Sequence, residues 1–140
     1  MSRLLGRLAH AAIVGLLAGS CDGTGPEVVE PCSGAIQPSL RYEPLAFEWS
    51  PPCGISSLTL TALPATPEGA ERTVWAFQVP EDTPVGPAVT YGEAPSGATV
   101  LAGPEPLVNG RRYRVAVRYI VGGDAVAASG DLTFTWFPPD

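Results

Sequence analysis

Few side chains in this 140-residue sequence could carry out acid–base or nucleophilic chemistry. The chain holds one histidine, His10, no lysine and 14 carboxylates. A Ser-His-Asp or Cys-His arrangement needs a histidine base, and His10 lies in an apolar run near the start. Two carboxylates can hydrolyse a glycoside, but these acids lie beside turns, glycines and prolines in no recognisable pair. The sequence therefore predicts no enzyme, no cofactor and no metal site, and a carboxylate-based hydrolase is the weakest alternative.

Positive charge is concentrated in one run, residues 111–119 (RRYRVAVRY). Three of its arginines stand at even spacing: Arg112, Arg114 and Arg118. Because guanidinium groups bind carboxylates and phosphates bidentately, these three form a candidate binding face. The alternative is a solvated strand face, paired across a sheet with acids such as Glu48 or Glu71. The period-two placement and the acidic remainder of the chain favour that alternative.

Exposed aromatic rings would give a second candidate site, a platform for sugars, from residues such as Trp75, Tyr91 or Trp136. The tryptophans lie on alternating apolar faces, which favours burial in a core. A glycan-binding role therefore stays an alternative.

The first 20 residues have the pattern of an export signal. Arg3 and Arg7 precede an uncharged run, residues 8–18, which ends in small residues. A basic start, a short apolar middle and a small-residue end are typical of a secretory signal, and the run is shorter than the roughly 20 residues that span a bilayer. We expect residues 1–20 to be cleaved.

Residues 17–21 (LAGSC) resemble the lipobox of bacterial lipoproteins. The resemblance implies that Cys21 receives a diacylglycerol thioether and anchors the chain to a membrane of the bacterial cell envelope, facing the periplasm or the cell surface. Asp22 resembles the signal that retains some of these lipoproteins in the inner membrane. Residues 21–30 then form a lipidated, flexible tether, and residues 31–140 form one domain.

The chain that remains after cleavage is acidic. Residues 21–140 hold six arginines against 14 acids, a net charge of −8. An acidic chain is a poor candidate for nucleic-acid binding, so we expect no nucleic-acid partner.

Two cysteines remain in the domain, Cys32 and Cys53, and an even pair in an exported chain is most simply a disulfide. The spacing supports this pairing. If residues 34–40 and 45–50 form a hairpin, the residue numbers of each opposite pair sum to about 85. The numbers of Cys32 and Cys53 also sum to 85. A redox or zinc role is the weaker alternative, because the sequence has no Cys-x-x-Cys motif and the mature chain has no histidine.

The domain shows the period of β-strands. Apolar residues alternate with polar or small ones in five runs: 45–50, 58–62, 74–79, 112–119 and 132–136. Two weaker strands are predicted near 89–91 and 99–101, and a hairpin turn at 121–125. Sixteen prolines and sixteen glycines argue against long helices. This pattern predicts an all-β antiparallel sandwich.

Three segments resemble a fibronectin type III domain: residues 47–52, 55–60 and 107–117. They are similar to its second strand with a core tryptophan, its third strand, and its tyrosine corner. The resemblance implies a Greek-key sandwich of about seven strands in which the Tyr113 hydroxyl bonds to backbone near Leu107. Leu58 stands where the family usually has an aromatic residue, and the cysteine pair is an addition.

The function expected from these features is non-covalent recognition of an envelope protein, or structural spacing within an envelope complex. A sandwich that binds glycans or carries a lipid between its sheets is the alternative. The many aromatic and leucine side chains at inward positions favour a filled interior over a lipid cavity.

Overall fold

Nine β-strands and no helix make up the part of the chain that the structure, a computed structural model, describes: residues 28–140. The strands are β1 Gly34–Ala35, β2 Gln37–Arg41, β3 Ala46–Ser50, β4 Ser57–Ala62, β5 Arg72–Gln78, β6 Val89–Thr90, β7 Thr99–Ala102, β8 Arg112–Val121 and β9 Ala125–Thr135. Across these residues, no segment forms a helix that could cross a membrane. The predicted signal peptide, Cys21 and most of the predicted tether lie outside the described residues.

The strands form two sheets. A six-stranded sheet has the order β1-β9-β8-β4-β5-β7, and a three-stranded sheet has the order β2-β3-β6. Their apolar faces meet, as shown by Phe47 of the smaller sheet, whose ring centroid lies 6.3 Å from that of Trp75 and 6.4 Å from that of Phe134 in the larger sheet. This arrangement is compatible with the predicted β-sandwich.

The core follows from the two-residue period of the strands. On β8 the side chains of Tyr113, Val115 and Val117 are at most 1% exposed, whereas the alternating arginines face solvent. The largest fully buried side chains are Trp75, Tyr113, Phe47, Phe77, Ile55, Leu58, Leu60, Val115 and Val117. The five strong strands, both weak strands and the hairpin turn that the sequence predicts are all present.

The register of the first hairpin differs from the prediction. In the structure Gln37 lies opposite Ser50 and Leu40 opposite Phe47, so paired residue numbers sum to 87 rather than 85. Because the shift is two residues, it leaves every side chain on its expected face. Gly34 and Ala35 were expected to extend this hairpin, but they form β1, which pairs in parallel with β9 of the other sheet. The chain crosses between the sheets at Ile36.

The predicted disulfide between Cys32 and Cys53 is present, with the two Cα atoms 4.8 Å apart. Around it, the amide of Cys32 donates to the carbonyl of Gly54 over 2.8 Å, and the amide of Gly54 donates to Glu30 over 2.6 Å. Val29 is half-buried, so the last residues of the predicted tether contact the domain. The bond therefore joins the start of the domain to the connection between β3 and β4.

The two-sheet domain has two distinct ends, separated by the length of β8, which at ten residues spans about 30 Å. At the disulfide end, which contains the cystine and the 122–124 turn, the Ile120 amide donates to the hydroxyl of Ser56 over 2.8 Å. At the arginine end, which contains residues 63–65, 109–112 and Trp136, the Leu63 amide donates to Arg112 over 2.9 Å. The chain enters the domain at the disulfide end.

Candidate functional site

The predicted binding residues lie on the solvent-facing side of β4, β8 and β9, here called the outer face. The registers of these three strands align their side chains in three rows: Thr61–Arg114–Thr133, Thr59–Ala116–Asp131 and Ser57–Arg118–Ser129. Hydroxyl side chains therefore flank both arginines, and the face can donate and accept hydrogen bonds across a flat area.

Arg114 is neutralised within the domain. Its guanidinium donates to both carboxylate oxygens of Glu71, over 2.7 and 3.2 Å. The hydrogen bond and the charge of Glu71 raise the pKa of Arg114 further above its ordinary value. The solvated, paired face that the alternative interpretation predicts is thus seen at Arg114 and Glu71. Glu48 instead lies 3.7 Å from Arg41, on the smaller sheet.

Arg118 borders an open groove on the outer face. The groove has a volume of about 370 Å³ and is lined by Arg114, Ala116, Arg118, Ser129, Gly130 and Asp131. In residues 28–140 the ion pairs involve Arg41, Arg72 and Arg114, and Arg118 is in none of them. The groove therefore presents one exposed, unpaired guanidinium beside the carboxylate of Asp131.

Arg112 is on the same side of β8 as the other two arginines, about 7 Å along the strand from Arg114, which is itself about 13 Å from Arg118. Arg112 is at the start of β8. There it lines a separate cleft of about 520 Å³ at the arginine end, together with Arg111. The three predicted arginines therefore share the solvent-facing side of β8, with Arg114 and Arg118 lining the groove and Arg112 lining the separate cleft.

Sequence reasoning did not single out Arg111 or Asn109, which both line the cleft. Arg111 is an odd number of residues away from the three predicted arginines, so on an ideal strand its side chain would lie on the other face of the sheet. However, β8 begins only at Arg112, and Gly110 has a left-handed backbone with φ of +79°. A glycine directly before Arg111 indicates a turn, and this is the sequence signal that Arg111 precedes the alternating residues of β8.

The aromatic residues divide between core and surface. Trp49 and Trp75 are at most 4% exposed. Trp136 is half-buried and stacks on Tyr42, with ring centroids 6.1 Å apart and an interplanar angle of 22°. Tyr91 is half-buried, packs edge-on against Trp75 at 5.2 Å and donates its hydroxyl to the carbonyl of Glu105. Trp49 and Trp75 thus lie in the core, as the sequence predicts. Trp136 was expected there too, but it is only partly buried and stacks on Tyr42 at the arginine end.

The remaining polar chemistry of residues 28–140 is sparse. These residues contain no group of three histidine, cysteine or acidic side chains with the geometry of a metal site. The Tyr113 hydroxyl accepts the amide of Val108 over 2.8 Å, one residue beyond the expected Leu107. The side-chain arrangements that stand out are therefore the outer-face groove and the cleft at the arginine end.

Comparison of the chain with protein-family models, curated proteins and solved structures finds no match.

Proposed function

We propose that this protein is a lipid-anchored component of the bacterial cell envelope whose domain acts by non-covalent protein–protein recognition. The observation that carries the recognition role is the outer-face groove, where Arg118 is exposed, in no ion pair of the described residues, and flanked by Ser57 and Ser129. Charged and hydrogen-bonding groups on a surface give specificity and orientation to a protein partner. The lipid anchor at Cys21 is the part of the proposal that rests on sequence alone.

The finer fold assignment, a Greek-key sandwich like fibronectin type III, belongs to the same proposal. The Tyr113–Val108 hydrogen bond supports it, since a tyrosine corner ties this residue to backbone a few positions upstream. The buried Trp49 on β3 also supports it. Folds of this class serve mainly as rigid supports for recognition surfaces, although a fold alone does not fix a function.

The packing of the interior favours recognition over lipid carriage. Phe47, Trp75 and Phe77 are fully buried between the sheets, in edge or stacked contact with one another. A lipid chain between the sheets would need the volume that these rings occupy.

The anchor is tested by the intact mass of the protein extracted from bacterial membranes. We expect a mass for residues 21–140 plus a diacylglyceryl group, with Cys32 and Cys53 alkylated only after reduction. A soluble product with an unmodified Cys21 would refute the anchor.

Recognition is tested by a photo-cross-linking residue at Ser129, beside Arg118, in living cells. The matched control site is Ser39, which is exposed on the outer side of the smaller sheet. We expect a discrete adduct from Ser129 that Arg118→Glu abolishes, and none from Ser39. An adduct that survives Arg118→Glu, or no adduct at all, would exclude this face and leave the spacer role.

A further inference from the structure

The cleft at the arginine end, here called the end cleft, combines two walls of different chemistry. It is lined by Leu63, Pro64, Ala65, Asn109, Gly110, Arg111 and Arg112. The first three residues form an apolar wall between β4 and β5. Asn109 and the two arginines supply amide and guanidinium donors on the other wall.

Backbone hydrogen bonds hold the two walls together. The Leu63 amide donates to the carbonyl of Arg112 over 2.9 Å, which joins one wall to the other. Behind the polar wall, the Gly110 amide donates to Trp136 over 2.7 Å, and the Trp136 amide donates to Arg111 over 2.9 Å. The cleft is therefore built on the fixed ends of β4, β8 and β9, and its geometry is set before any ligand arrives.

The two arginines of the end cleft are in no ion pair of residues 28–140. On either side of it an arginine is paired, Arg72 with Glu105 and Arg114 with Glu71. Neither Arg111 nor Arg112 has a carboxylate within 4.0 Å among residues 28–140, although acids outnumber arginines in the chain. Two neighbouring guanidinium groups without a carboxylate partner match the bidentate recognition of an anion with planar oxygens.

The apolar wall indicates a ligand that has an apolar group as well as a negative charge. The sequence neighbours of Asn109 and Trp136, Val108 and Phe137, have side chains that are 54% and 63% exposed. A ligand that fills this site would place a carboxylate against the arginines and an apolar group against Leu63 and Pro64. We propose that the end cleft binds an acidic polypeptide segment through a carboxylate that has an apolar side chain next to it.

A sugar acid fits the end cleft less well than a polypeptide. A sugar ring offers many hydroxyls, and beyond the arginines only Asn109 supplies a polar side chain in the lining. The one aromatic pair nearby, Tyr42 and Trp136, uses one ring face of each residue in its own stack. The apolar wall instead suits the aliphatic side chains of a peptide.

The test is an amide chemical-shift titration of the full-length, isotope-labelled protein in detergent micelles at low salt. The probes are Ac-Gly-Leu-Glu-Leu-Gly-NH₂, its glutamine counterpart, and Ac-Gly-Gly-Leu with a free or amidated terminus. We expect shifts of the amides of Leu63, Ala65 and residues 109–112 with a carboxylate probe and none with the neutral probes. Binding of the glutamate peptide would identify a side-chain carboxylate as the ligand. Binding of Ac-Gly-Gly-Leu with a free terminus would identify a chain terminus.

Substitutions locate the binding. Because a hydrogen bond to a charged group contributes more than a neutral one, we expect Arg112→Ser and Arg111→Gln each to weaken binding about tenfold or more. The matched control is Arg41→Ser, which removes an exposed arginine from the other sheet and should leave the affinity within about twofold. Equal binding of the neutral probes, binding that Arg112→Ser leaves unchanged, or a preference for glucuronate or inorganic phosphate would overturn the proposal.

The inference goes beyond the proposed function and does not depend on it. The end cleft shares no lining residue with the outer-face groove. A missing adduct at Ser129 would therefore refute the outer-face role alone, and a negative titration would refute the end cleft alone.

Discussion

Among residues 28–140, the fold changes the ionisation of the Tyr91 phenol. Burial raises its pKa from 10.0 to about 12, and the negative charge of an ionised Tyr113 adds to the shift. The neutral form of Tyr91 also keeps the hydrogen bond that its hydroxyl donates to the carbonyl of Glu105. The folded state therefore prefers the neutral phenol.

The first prediction follows from this shift. Between pH 10 and 12, Tyr91 loses its proton in the unfolded chain but keeps it in the folded one, so the free energy of unfolding falls as pH rises through this window. Urea titrations across this range should show the decline in the wild type and a smaller one in Tyr91→Phe. Tyr42→Phe, which removes the hydroxyl of an exposed tyrosine, is the matched control variant. Identical pH profiles for wild type and Tyr91→Phe would contradict the shift.

A second prediction concerns Trp49, whose indole N–H donates to the carbonyl of Cys53 over 2.7 Å in the core. Trp49→Phe leaves this buried carbonyl without a donor and removes ring volume. We expect the free energy of unfolding to drop by about 2–4 kcal/mol, measured by urea denaturation. Trp136→Phe changes a half-buried ring and should cost less. Equal losses from both variants would show that the buried bond contributes little.

At the scale of strands, the sequence predicted which segments form sheets but not all of their partners. The period of two placed Tyr113, Val115 and Val117 on the inner face, because a half-covered sheet needs one apolar side. The same pattern carries no information about which strand an edge segment joins. Gly34 and Ala35 pair with β9, far away in sequence, so no local pattern revealed that contact.

Gly130 makes this unpredicted crossing possible. Where the chain passes between the sheets, the backbone of Ile36 lies against Gly130, and a Cβ there would overlap the carbonyl of Ile36. We predict that Gly130→Ala pushes this crossing away and destabilises the domain by about 1–3 kcal/mol. Its matched control is Gly86→Ala, whose added methyl would make an ordinary 3.6 Å contact with Val29. Hydrogen exchange should localise the loss to Ile36, whose amide bonds to Ser129 over 3.0 Å. Unchanged exchange at Ile36 would contradict this account.

At the scale of the whole molecule, the cysteine pairing was predictable and the division of the arginines was not. Only two cysteines remain in the predicted domain, so one intramolecular pairing was available. The spacing of Arg112, Arg114 and Arg118 placed them on one side of a strand. Their separation into a groove and a cleft depends on Glu71, Leu63 and Trp136, which come from other parts of the chain.

The disulfide should contribute strongly to the stability of the domain. Its cysteines are 21 residues apart, and closing a loop of this length in the unfolded chain contributes about 3 kcal/mol in the chain-entropy account. We expect reduction to lower the urea midpoint of the wild type. A Cys32→Ser, Cys53→Ser double variant should have the same urea midpoint as the reduced wild type, and adding reductant should not change that midpoint. Coincident transitions for the oxidised and reduced wild type would refute this contribution.

The position of the same bond also decides how the domain bears tension. A pulling force applied ahead of Cys32 passes through the cystine to Cys53, which directs it into β4 and the larger sheet. Strands β1, β2 and β3 lie between the two cysteines, so the covalent path of the force bypasses them while the bond is intact. In single-molecule stretching, the oxidised chain should release about 70 Å less contour length than the reduced one, because 21 residues stay closed. A tethered domain of this design would keep part of its smaller sheet out of the force path whenever its surroundings are oxidising.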